Sequence, residues 1–96
     1  IETMPKELFK PLILTYIFVG NNRITEVPKQ VGQMRLLYYL ALFGNPIKHL
    51  PKEIEFLKGL EWLACWDTRI DQEEQERIVR LLPFETKTNF TGEDIH

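Results

Sequence analysis

Apolar residues recur along this chain in one order, L-x-x-L-x-L-x-x-N-x-I-x-x-L-P-x-x-I-x-x-L, and the order returns every twenty-three residues. The fullest copy is Leu37, Leu40, Leu42, Asn45, Ile47, Leu50, Pro51, Ile54, Leu57. The copy before it is Leu14, Ile17, Val19, Asn22, Ile24, Val27, Pro28, Val31, Met34. A later copy gives Leu60, Leu63, Cys65, Thr68 and Ile70 and then departs from the pattern; an earlier one survives as its second half, Ile1, Met4, Pro5 and Leu8. Repetition at this period marks a solenoid, in which each unit buries its apolar side against its neighbours.

Two periodicities alternate inside each unit. Ile17/Val19, Leu40/Leu42 and Leu63/Cys65 alternate with other residues, as a short strand does. The Pro-Lys-x-x segments that follow carry apolar residues three apart, which predicts a helical or 3₁₀ turn with proline at its first position. Similar strands joined by such a return run parallel, so each unit adds one strand to a parallel sheet. Asn22 and Asn45 stand where the chain leaves the strand, and stacked there they would form a ladder bonded to backbone that water does not reach. Thr68 takes that place in the last copy and can do only part of the task.

These columns resemble the leucine-rich repeat family, in its class with the L-P-x-x-I signature, over roughly residues 1–70. The resemblance implies an α/β fold: a short solenoid with a concave parallel sheet, helical or 3₁₀ convex turns and a C-terminal helix cap. The tail, with Leu81-Leu82-Pro83, resembles the end of bacterial, especially spirochaetal, proteins of this class. That likeness implies a secreted or cell-surface protein that contacts host or matrix proteins. One domain over 1–96 is expected: a partial repeat at 1–13, repeats at 14–70, a capping helix at 71–83, and a short strand and tail at 84–96. Ile1 falls in mid-repeat, so a processed or cut chain is expected.

The two ends differ. Asp71 and Glu74 form an Asp-x-x-Glu capping pattern, with Glu73, Glu74 and Glu76 early in the helix and Arg77 and Arg80 late, matching the helix dipole. Ile78, Leu81 and Leu82 face inward, and Thr86 to Phe90 adds a last strand with Phe84 and Phe90 packed inward. The other end offers Ile1, Met4, Leu8, Phe9, Leu12 and Ile13 with no cap before them, and a strand at 14–19 with a free edge. Such an edge invites pairing with another chain, so a homo-oligomer formed through the N-terminal edge is expected.

The residues between the inward ones would form the concave surface. They are Tyr16, Tyr39 and Trp62, then Phe18, Ala41 and Ala64, then Gly20, Phe43 and Trp66, with Tyr38 at the margin. Seven of the eleven aromatics, Tyr16, Phe18, Tyr38, Tyr39, Phe43, Trp62 and Trp66, thus share one face. With neighbouring strands about 4.8 Å apart, Tyr16, Tyr39 and Trp62 should stack in a row. Such a face exceeds the apolar patch usual on a monomer and carries residue types enriched at binding hot spots. Asn21, Glu61 and Asp67 could orient a partner. The same rings could also brace the sheet or be covered by a second copy.

Charge and chemistry narrow the reading. The net charge of −2 gives no basic stripe for nucleic acid. The longest apolar stretch, Leu12 to Val19, is too short to span a bilayer. One cysteine, Cys65, excludes a disulfide framework and occupies an inward position. Asn89-Phe90-Thr91 fits a glycosylation sequon, a motif common by chance. No phosphate loop, metal-ligand spacing or cofactor motif is present, and neither His49 nor His96 has a sequence-local catalytic partner. The expected function is therefore non-enzymatic protein binding through the aromatic face, with structural self-assembly as the alternative.

Overall fold

Among the described residues, alternating positions form four short strands: β1 (Tyr16–Phe18), β2 (Tyr39–Ala41), β3 (Trp62–Ala64) and β4 (Lys87–Asn89), paired in that order into one parallel sheet. The computed structural model describes residues 16–92. The half-repeat 1–13, Leu14, Thr15 and the tail 93–96 lie outside the described residues, and so does the expectation of an uncovered N-terminal end. Equal repeat length sets the register: Tyr16 pairs with Tyr39 and Tyr39 with Trp62, Ile17 with Leu40 and Leu40 with Leu63. The ladder continues past the strands, with Val19 N–H donating to Ala41 O at 3.0 Å and Leu42 N–H to Ala64 O at 2.8 Å.

The chain returns through 3₁₀ turns at Lys29–Gln33 and Lys52–Phe56. Pro28 and Pro51 do not occupy the first helical position. They stand one residue earlier, in extended backbone at ψ 152° and 150°. From there each proline carbonyl accepts the first turn bond, from Val31 N–H at 3.1 Å and Ile54 N–H at 3.2 Å. The ring fixes φ, and the missing donor leaves nothing unpaired.

The core lies between sheet and turns. Ile24, Met34, Leu37, Leu40, Leu42, Ile47 and Leu57 are wholly buried, and each such side chain contributes about 1.5–3 kcal/mol on leaving water. The asparagine ladder is present. Asn45 is buried and its Oδ1 accepts from Asn22 N–H and Ile24 N–H, while its Nδ2 donates to the carbonyls of Val19, Leu42 and Phe43. Thr68 supplies less: its hydroxyl donates to Cys65 O at 2.9 Å and accepts from Ile70 N–H at 3.4 Å. One residue before each of these three positions, Asn21, Gly44 and Asp67 take left-handed backbone at φ 59°, 74° and 54°. Asn, Gly and Asp are the residue types that tolerate it.

The C-terminal helix α1 spans Gln72–Leu81. Its expected end at Pro83 shortens because the residue before a proline is driven out of helical backbone; Leu82 is extended at ψ 158°. Asp71 caps the start, its Oδ1 accepting Glu74 N–H at 2.8 Å. Ile78 and Leu82 are buried and Leu81 packs against the core. Phe84 corrects the expectation of inward packing: it is fully exposed. It occupies the second position of a tight turn closed by Thr86 N–H to Pro83 O at 3.0 Å, which points it outward. Phe90 does pack against the core. Asn89 of the sequon is buried in β4.

Candidate functional site

Strand alternation puts Ile17, Leu40 and Leu63 into the core, so their neighbours face the hollow side. Tyr16 and Phe18 are the most open rings on that side, at 60% and 66% exposure. Tyr38 is exposed, whereas Tyr39, Phe43, Trp62 and Trp66 are half-buried. Ala41 and Ala64 depart from the expected open positions, being buried on the same face. Phe18, opposite Ala41, touches both Tyr39 and Phe43, so rings close over the small residue between them.

The rings form a connected surface. Tyr16 stacks on Tyr39 with centroids 5.7 Å apart, and Phe18 stacks on Tyr39 at 6.1 Å. Tyr38 joins through Tyr16 at 5.6 Å. Phe18 meets Phe43 edge-on at 5.5 Å, and Phe43 lies flat on Trp66 at 4.3 Å with planes 7° apart. Such pairs favour offset or edge geometry because of the ring quadrupole. Gly20 makes room for the arrangement, since a Cβ there would sit 2.5 Å from the Phe43 ring. Gly92 packs against the Trp66 indole in the same manner.

The row expected through Tyr16, Tyr39 and Trp62 is interrupted at its third member. Trp62 takes Lys87 instead, whose Nζ lies 4.8 Å from the ring centroid. The ammonium is held by attraction to the ring face. Lys87 is opposite Trp62 in the β3–β4 register. The repeat period gave no access to this pair, because α1 replaces the second half of the repeat before β4 begins. Asn21, Glu61 and Asp67 are exposed at the margins, as their spacing suggested.

The chemistry of this face is that of contact. Its flat rings take apolar or cationic side chains, and the tyrosine hydroxyls donate and accept at their tips. Among the described residues no three His, Cys, Asp or Glu side chains converge on one point. Cys65 is buried, and loss of hydration pushes its thiol up from the ordinary 9.0 to about 12. A thiol so held stays protonated and unreactive. His49 is exposed but lies 3.5 Å, through Nδ1, from the buried carboxylate of Glu74 on the convex flank. No helix among the described residues is long and apolar enough to cross a membrane.

Comparison with known proteins is consistent with this architecture. A solved leucine-rich repeat protein of Leptospira interrogans superimposes with a TM-score of 0.87 at 38% identity, over 92% of this chain. The chain spans 22% of that protein's length. No protein-family model matches the chain, and no curated protein does.

Proposed function

From the premise that this chain is a leucine-rich repeat protein resembling those of spirochaetes, we propose that it binds a protein partner across its aromatic concave face and performs no catalysis. The fold itself supports a protein-interaction module in general. The observation that carries the finer reading is the connected ring surface from Tyr16 and Phe18 through Tyr39 and Phe43 to Trp66, open at its Tyr16–Phe18 end. Aromatic anchors of this kind bury large area at small entropic cost. The partner we favour is an extended protein surface of host or matrix origin, met by a secreted or surface-displayed chain. Exchange of Phe18 and Trp62 for alanine leaves the buried core intact. It should abolish capture of the partner in a cross-linking pull-down from cell surfaces. Capture equal to that of the wild-type chain excludes the concave face.

One observation favours a second reading. Tyr16 and Phe18 are the most exposed rings of the concave face, and they lie on the outermost described strand. Self-assembly through that edge would cover both. Light scattering separates the readings: a dimer that shields Trp62 from a fluorescence quencher favours assembly, and a monomer with Trp62 open to the quencher favours recognition.

A further inference from the structure

The convex side carries a groove of about 780 Å³ between the two 3₁₀ turns, remote from the ring surface. Its floor is set by one glycine. In the repeat register Gly32 stands where the next unit has Glu55, and a Cβ at Gly32 would meet Glu53 O at 2.8 Å and the Phe56 ring at 3.3 Å. The bare backbone therefore lets the second turn close in and lays Phe56 along the groove. In the same register Phe56 replaces Gln33, and its ring is 53% exposed.

Lys29, Arg35 and Lys58 line the groove together with this ring, against one carboxylate, Glu53. All three cations are exposed, and none is ion-paired among the described residues. A chain of net charge −2 thus concentrates positive charge along a groove that holds an open aromatic side chain. Charge of one sign lining a concave site draws in segments of the opposite sign. The recess suits a single extended segment and not a flat surface.

We propose that this groove is a second binding site, for an acidic peptide segment with an apolar anchor. The anchor lies on Phe56 and its flanking carboxylates pair with Lys29, Arg35 and Lys58. The site is independent of the concave reading, and the two together would make the module bivalent. Fast, salt-sensitive association is expected, because rim charges act through steering and are screened by ions.

The test is an amide-shift titration of the isotope-labelled chain with a peptide of alternating Glu and Leu. Shifts should centre on Gly32, Phe56 and Lys58 and leave Tyr39 unmoved. Arg35→Glu with Lys58→Glu should weaken binding by about tenfold, and Phe56→Ser should weaken it comparably. The spectrum of each variant reports whether it is folded, and all three positions are exposed. The proposal is overturned by shifts confined to the ring surface, or by no shift. It is overturned equally by charge reversal without effect, by equal affinity for a Lys–Leu peptide, or by displacement of the peptide by phosphatidylserine vesicles.

Discussion

Glu74 in the first turn of α1 accepts the backbone N–H of Leu50 through Oε2 at 3.0 Å, joining the capping helix to the preceding repeat. The expected capping box is therefore half formed. Asp71 caps Glu74, but Glu74 does not reach back, because its carboxylate is buried against Leu50 and Arg77. Arg77 Nη1 donates to Glu74 Oε2 at 2.7 Å and to Leu50 O at 2.9 Å, closing a three-membered network. The glutamate does more than oppose a dipole: it satisfies the polar backbone of the repeat that the helix covers.

Glu74 is buried and Arg77 is partly exposed, so removing the carboxylate leaves Leu50 N–H without its acceptor while water still reaches the guanidinium. Glu74→Ala should destabilise the chain by about 1–3 kcal/mol. Glu74→Gln keeps an acceptor for Leu50 N–H and loses the charge opposite Arg77, so its cost should be smaller. Urea unfolding of both variants checks the order. Equal stability of Glu74→Ala and wild type would show that the network contributes nothing.

Among the described residues, the ladder asparagines differ in reach. The Asn45 side chain makes five hydrogen bonds, two of them accepted from the preceding coil's backbone. That of Asn22 donates to Val19 O and Gly20 O within its own coil. Leaving buried backbone donors unmet costs about 1–3 kcal/mol each. Asn45→Ala should therefore lower the urea midpoint well below that of Asn22→Ala, and equal midpoints would refute the ladder's role.

Gly20 and Gly44 test space and backbone separately. A methyl at Gly20 meets the far end of the Phe43 ring, which can swing away from Trp66. Gly20→Ala should change near-ultraviolet dichroism with little loss of stability. Gly44 combines φ of +74° with contact against the Asn21 backbone, so Gly44→Ala should cost about 1–3 kcal/mol through strain. Thermal unfolding distinguishes the two, and an unchanged aromatic spectrum in Gly20→Ala would disprove the Phe43 account.

The Cys65 thiol couples stability to alkaline pH. Its pKa is near 9.0 when exposed and pushed up to about 12 by burial. Below 9.0 both states carry the proton and the thiol places no pH dependence on folding. As pH rises from 9.0 towards 12, the unfolded chain releases the proton first, so stability falls across that window. Cys65→Ala should lose that part of the alkaline slope in urea titrations. Rapid labelling of native Cys65 by a thiol reagent at pH 8 would contradict its burial.

The sequence determined the coil. Fixed spacing of Ile24, Ile47 and Ile70, with strand alternation before and proline after, leaves one way to bury the apolar columns, and stacking equal units makes the sheet parallel. Those signals are local and repeated, so the fold and the face bearing Tyr16, Phe18, Tyr39, Phe43, Trp62 and Trp66 were legible without coordinates. Only the tertiary structure decided what breaks the period. It turned Phe84 outward, brought Lys87 over Trp62, covered Ala41 with neighbouring rings and bound Glu74 to Leu50. Each of these joins residues whose separation is not the repeat length, or depends on how large side chains share space. Periodicity records which face a residue occupies; packing decides which neighbour it meets there.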